Sequence, residues 1–374
     1  RRLEGARSAL DLVFDPREEH DRFVRWIEGR GRKEGVRNVV LAAAPVEPGG
    51  LLREALFDKV RTAIVTSATL TTGEGDFRFL RTRLGLDAGR GEGSSPGRQG
   101  EFLLDSSGNF SSEEGQEGEE SFSEAFPEGE ELSITELRVD SPFDYPRQSL
   151  LAVPTDLAGP SDGEAHHDAT AEVALQLAEL TGGGIFVLFT SHRALRATAH
   201  RLRAAGVERK YPLLVHGEGS RYALVTRFTQ AGNGILLGTA SFWEGVDVPG
   251  DPLRGLILQK IPFRVPSEPI TQARTEAIER RGGNGFMGYQ VPLAALRLRQ
   301  GFGRLIRSRS DRGVVLLLDP RILHARYGAR LRSALPNAPL VKGPWTEVLL
   351  RLRRFYNDGG DAAPPLPGGL AGVD

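Results

Sequence analysis

From Leu150 onward, short aliphatic runs alternate with longer amphipathic stretches. The runs Leu150–Val153, Gly184–Phe189, Pro212–Val215, Gly234–Leu237, Gly255–Leu258 and Val314–Leu318 are apolar at nearly every position. Continuous rather than alternating hydrophobicity predicts strands covered on both faces. The stretches His167–Leu180, Arg193–Ala205, Gly219–Thr229, Ile270–Arg280 and Pro292–Ile306 predict helices between them. This alternation predicts an α/β fold with one doubly wound parallel sheet. Upstream, Val39–Ala44 and Thr62–Thr66 read as strands, with helices at Leu51–Phe57 and Phe77–Leu84. That rhythm predicts a second stretch of parallel sheet. Residues 1–35 read as helical, with Leu3, Leu10, Phe14, Phe23, Trp26 and Ile27 as apolar positions. Gly29, Gly31 and Gly35 then break the pattern.

Residues 90–132 interrupt everything. They are rich in Gly, Ser and Glu, with twelve acidic and two basic side chains. Such a segment has too little apolar surface to offset the entropy of ordering, so it reads as an acidic disordered linker or insertion. The chain's net charge of −1 therefore hides a local charge of −10 and a remainder of +9. A mildly basic remainder permits nucleic-acid binding. The absence of cysteine excludes disulfides, thiolate metal sites and Fe–S ligation within these residues. Of the seven histidines, His166 and His167 are the only adjacent pair, and they sit at a polar helix start rather than in a metal-ligand pattern. No metal site is expected. No apolar run is long enough to span a bilayer. The opening RRLEGARSAL shows no secretory signal and lacks an initiating Met, so a cytoplasmic fragment is expected.

Chemistry is expected at the carboxyl ends of the strands. Four groups of residues are expected there. Thr66, Ser67, Ala68 and Thr69 follow an apparent strand, and their hydroxyls suit either phosphate contact or helix capping. Thr190 and Ser191 follow another, ahead of a helix whose free N–H groups suit an anion or a cap from Ser191 equally. Thr239, Ser241, Trp243, Glu244, Gly245 and Asp247 follow a third, and Trp243 suits a stacked base but the core better. The fourth group lies in Gln300–Arg307, which reads QGFGRLIR. On a continuous helix, Gln300, Gly303, Arg304 and Arg307 share one face. Two guanidinium groups and an amide there suit charge stabilisation on a phosphoryl group in transfer.

Together these stretches resemble the DinG/XPD family of superfamily 2 DNA helicases, and the bacterial DinG-like branch most. VTSATL at Val65–Leu70 resembles motif III, and FVLFTS at Phe186–Ser191 resembles motif IV. GTASFWEGVD at Gly238–Asp247 resembles motif V, and QGFGRLIR resembles motif VI. Supporting stretches are Ala43–Glu47, Ser141–Tyr145, Lys260–Phe263 and Asp319–Ile322. The likeness covers about residues 36–86 and 139–340.

The resemblance implies two RecA-like, P-loop NTPase-type motor domains, with ATP and Mg²⁺ between them and single-stranded DNA across both. It assigns Gln300, Arg304 and Arg307 to the γ-phosphate, with Arg307 as arginine finger. It places Glu244, Gly245, Asp247 and Gly303 at the nucleotide. It places Thr190, Ser191, Thr239, Ser241 and Trp243 at the DNA, with residues 66–69 coupling the two. It implies an arch-type helical remnant at 1–35, the end of the first motor at 36–89, an insertion at 90–132, the second motor at 133–363 and a flexible tail at 364–374. The lysines are Lys33, Lys59, Lys210, Lys260 and Lys342, and none follows a glycine, so no P-loop is present. The resemblance places the P-loop, the metal box and any Fe–S cysteines in a missing N-terminal half. The expected whole is a monomeric ATP-dependent helicase acting on single-stranded, forked or structured DNA, with 5′-to-3′ movement. The fragment alone is expected to be inactive. Two alternatives stay open: a non-motor nucleic-acid-binding or regulatory module, and part of a helicase–nuclease fusion.

Overall fold

Phe23–Arg30 is a strand, not a helix. In the computed structural model this strand, β1, pairs antiparallel with β2 (Asn38–Pro45), with Phe23 opposite Pro45. Aromatic and β-branched residues at Phe23, Val24, Trp26 and Ile27 favour the pleated form over the helix that their spacing suggested. The structure describes residues 13, 22–30, 38–67, 69–73, 76–87, 133–239, 242 and 253–357. The expected segments 90–132 and 364–374 lie outside them.

The chain divides into two units. The smaller comprises Pro48–Ala63 and Arg81–Leu137. It contains helix α1 (Gly49–Ala55) and the later part of α2 (Arg78–Leu84). Gly85 has φ of +76°, and a Cβ on Gly49 would lie 2.7 Å from the Gly85 nitrogen. Only glycine permits that backbone approach. Arg81 bridges Asp87 at 3.1 Å and Glu136 at 2.9 Å within the same unit.

The larger unit holds the β1–β2 hairpin and a seven-stranded sheet. Its strands are β3 (Ser149–Pro154), β4 (Ile185–Leu188), β5 (Leu213–Val215), β6 (Ile235–Gly238), β7 (Gly255–Leu258), β8 (Gly313–Leu317) and β9 (Leu340–Gly343). Their order is β5-β6-β4-β7-β8-β3-β9, and every pairing is parallel. The connecting helices are α3 (Glu164–Thr181), α4 (His192–Ala204), α5 (Arg221–Ala231), α6 (Pro269–Arg280) and α7 (Val291–Phe302). A last helix, α8 (Trp345–Asn357), follows β9. Strand side chains alternate between two cores. Phe186, Leu188, Leu236, Leu256 and Val315 pack with Leu298 and Phe302 of α7. Ile185, Val187, Leu237, Ile257 and Val314 pack with Leu177 of α3, Leu195 of α4 and Leu352 of α8.

Three expectations are corrected here. Thr62–Thr66 forms no strand among the described residues, and Ile64 is 84% exposed. A strand needs a ladder partner for its N–H and C=O groups, and none is paired with it. Of the parallel rhythm expected from Val39 to Leu84, the strand at Val39–Ala44 forms but pairs antiparallel with β1. The helix expected to run from Pro292 to Ile306 ends at Phe302. Gly301 and Gly303 weaken helix propagation there. Leu305 and Ile306, 2% and 1% exposed, turn inward to the core instead.

Phe302 is fully buried and meets Tyr145 edge-on at 6.0 Å between centroids. Phe302→Ala is expected to cost about 3–5 kcal/mol, read from urea unfolding of the chain.

Candidate functional site

Because α7 stops at Phe302, Arg304 and Arg307 do not share a helical face with Gln300. They lie on an irregular turn closed by 3₁₀-type bonds, Arg304 N–H to Gly301 O at 3.2 Å and Leu305 N–H to Phe302 O at 3.1 Å. Arg304 is 9% exposed. Asp311 organises the far side. Its Oδ2 accepts from Arg307 N–H and Ser308 N–H, each at 2.8 Å, and its Oδ1 from the Ser308 hydroxyl at 2.6 Å. Gln148, buried just before β3, donates to Ser308 O at 2.8 Å and Asp311 O at 2.9 Å. Burial holds the Arg307 guanidinium below its ordinary pKa, with Asp311 opposing. It remains a cation at neutral pH.

This turn leads into β8 at Gly313 and is tied to the residue preceding β3. It therefore lies at the amino ends of these strands, not the carboxyl ends expected from sequence. The difference follows from chain direction: the turn enters β8 rather than leaving a strand.

Thr66 and Ser67 lie in the same irregular segment as Thr69. Thr69 N–H donates to the Ser67 hydroxyl at 3.2 Å, and Gln300 Nε2 donates to Thr69 Oγ1 at 3.5 Å. A shorter contact lies beside it: Arg299 Nη1 donates to Thr71 Oγ1 at 2.8 Å, and Thr71 is buried. Arg299 and Thr71 were missed in the sequence, although each adjoins a motif. Ala68 lies outside the described residues.

The other hydroxyls sit at the opposite edge. Thr190 and Ser191 follow β4, and Ser191 caps α4 by accepting from Ala194 N–H at 3.2 Å. Thr239 follows β6 and is 4% exposed. Its Oγ1 lies 2.8 Å from His216 Nδ1 and 3.4 Å from His192 Nε2. Both histidines escaped the sequence reading because they are far apart in the chain. After β7, Lys260 Nζ donates to Pro160 O at 2.8 Å. After β8, buried Asp319 binds Arg321 through both carboxylate oxygens, at 2.8 and 2.7 Å, and accepts from Ile261 N–H at 3.0 Å. His166 is a core residue, its ring nitrogens 2.7 Å from Ala158 O and 3.1 Å from Gln259 O. Burial holds its pKa below the ordinary value. Ser241, Trp243, Glu244, Gly245 and Asp247 lie outside the described residues.

Chain connections leave β4 toward β5 and leave β7 toward β8, in opposite directions along the sheet. Such a switch point opens a crevice at the carboxyl edge. At about 3.3 Å per residue, a five-residue strand such as β8 separates the two edges by roughly 16 Å. One edge offers buried Arg304 and half-buried Arg307, which suit an anion. The other offers hydroxyls and imidazoles. Among the described residues no group of acidic and histidine side chains is arranged to hold a metal.

Residues 174–338 match the helicase C-terminal domain family. The chain is 36% identical over 315 residues to the ATP-dependent helicase DinG of Mycobacterium tuberculosis, covering 84% of this chain and 40% of that protein. It is 34% identical over 307 residues to the ATP-dependent DNA helicase YoaA of Escherichia coli, covering 82% of this chain and 40% of that one. The chain belongs to the DinG-like helicase family. Another DinG-like relative, the 3′-5′ exonuclease DinG of Bacillus subtilis, is 34% identical over 320 residues, 83% of this chain and 29% of its own. The chain thus spans about 40% or less of these relatives. A solved apo XPD structure overlaps 52% of the chain and 40% of its own at 17% identity, with a TM-score of 0.43. Among the described residues of this DinG-like chain, no helix is long and apolar enough to cross a membrane.

Asp311→Ala removes the acceptor for two backbone N–H groups of the arginine turn. It is expected to cost about 1–3 kcal/mol, and Asp311→Asn less, measured by urea unfolding.

Proposed function

We propose that this chain is the second motor region of an ATP-dependent DNA helicase, together with the closing part of the first. The observation that carries this reading is the separation of an arginine turn from a hydroxyl-lined edge by one parallel sheet, with Thr69 and Thr71 bonded to the helix that ends in that turn. A motor must sense phosphate at one place and grip a strand at another. A shared rigid sheet carries displacement between them.

In this reading Gln300, Arg304 and Arg307 face the γ-phosphate, and Arg307 places positive charge where negative charge grows in the transition state. Gly303 permits close approach of the nucleotide, and Glu244, Gly245 and Asp247 complete the cleft. Thr190, Ser191, Thr239, Ser241 and Trp243 follow the strand. Residues 66–69 couple the two sites, and Arg299 with Thr71 extends that link. A P-loop and Mg²⁺ ligands come from a partner motor domain, which neutralises the β- and γ-phosphates. Translocation runs 5′ to 3′ on single strands, and the complete enzyme acts as a monomer on forked or structured DNA.

Binding of this chain to a labelled oligothymidine tests the nucleic-acid edge. The logarithm of affinity is expected to fall linearly with the logarithm of salt concentration, because phosphate contacts release counterions. Affinity that stays flat from low to high salt argues against a backbone-tracking surface. In a polypeptide that also carries the P-loop domain, Arg307→Ala is expected to lower kcat by about 10³-fold. ATP affinity should change much less, since the contact strengthens in the transition state. A tenfold rise in KM at constant kcat would make Arg307 a ground-state contact instead.

A further inference from the structure

At the carboxyl edge, three side chains from three elements meet around one hydroxyl. His192 opens α4, His216 follows β5, and Thr239 follows β6. The two imidazole rings lie 4.9 Å apart between centroids, and the Phe242 ring closes on His216 at 4.7 Å. His192 is exposed, His216 is half-buried and Thr239 is buried.

The hydrogen-bond arithmetic of this cluster is restrictive. The Thr239 hydroxyl has one proton, so it donates to one ring and accepts from the other. One imidazole must then present a lone pair and be neutral. If both rings are protonated, both must donate, the hydroxyl proton has to turn away, and two cations face each other across 4.9 Å. An anion resting on the cluster relieves that repulsion. Burial first, then the charges of His192 and Arg221, hold the His216 pKa below its ordinary value. Double protonation of the cluster is therefore disfavoured without an anion, and a bound anion offsets it.

The surroundings favour an extended anion. Arg193, next to His192, is 85% exposed and reaches Glu164 only at 3.7 Å. Arg221 lies on the His216 side. Thr190 and Ser191 continue the same edge after β4. Charge-assisted donors beside hydroxyls are the usual equipment for a nucleic-acid phosphate.

We propose that His192, Thr239 and His216 form a proton-linked seat for one phosphodiester of a nucleic-acid single strand. The inference rests on the nucleic-acid reading above and adds its regulation by pH. On binding, one imidazole takes a proton from solvent and then donates to a phosphate oxygen. No covalent bond changes. Because the bound phosphate favours the cationic ring, affinity rises as pH falls from 8 to 6, by up to about tenfold per pH unit for each proton taken up.

The test is oligothymidine binding by this chain at constant ionic strength across that range. Calorimetry in two buffers of different ionisation enthalpy counts the protons. The wild type is expected to tighten toward pH 6 and to take up about one proton. The double variant His192→Gln, His216→Gln should bind more weakly with a flat profile and no proton uptake. His200→Gln, which removes an exposed histidine elsewhere on α4, should keep the wild-type slope. Urea unfolding of each variant verifies that it is folded. A flat wild-type profile, or a slope that survives in the double variant, overturns the proton-linked seat and leaves the nucleic-acid reading standing. Absence of binding at every pH overturns both.

Discussion

The two-sided burial of β4 is the constraint on which the rest depends. Ile185, Phe186, Val187 and Leu188 have no exposed surface, and the strand is bonded to β6 on one side and β7 on the other. Burying each such side chain contributes about 1.5–3 kcal/mol. The buried backbone must also be fully paired, so the register of both neighbours is set. From that register follow the ends of the strands. Thr190, Thr239 and the Gln259–Lys260 pair all emerge at one edge because β4, β6 and β7 run in the same direction.

The opposite edge is held by a smaller polar network. Gln148 and Asp311 receive or supply the backbone bonds of the arginine turn, and Leu305 with Ile306 anchor it in the core. This arrangement places two arginines without a helix beneath them. An irregular turn costs backbone entropy, which the apolar anchors and the Asp311 carboxylate offset. Arg299, still on the last turn of α7, is the residue that reaches Thr71. The contact ties a segment without a strand to the end of a helix.

Much of the fold was legible in the sequence. The six aliphatic runs after Leu150 became β3 to β8 with shifts of a residue or so, because each run is buried on both faces and tolerates no polar interruption. The five helices between them were legible for a similar reason, down to the Ser191 cap, although the last ends at Phe302 rather than Ile306. β9 was not, since Leu340–Gly343 alternates half-buried and exposed positions at the edge of the sheet. β1 was misread as helix because Phe23, Trp26 and Ile27 fit both a helical and a broken strand pattern. Only the partner strand β2 settles the choice.

The candidate site divides along the same line. Residue types and their order in the chain pointed to phosphate chemistry at Gln300–Arg307 and to hydroxyl contacts at Thr190 and Thr239, because these are local patterns. Sequence alone could not say that the arginines sit at the amino edge, since edges are defined by strand direction and by what lies beside each strand. Nor could it join His192, His216 and Thr239, which come from separate crossovers. Local composition determined most of the elements after Leu150 and the residue types that each carries to its ends. The parallel ladder, a long-range constraint invisible to any single segment, decided which of those groups meet.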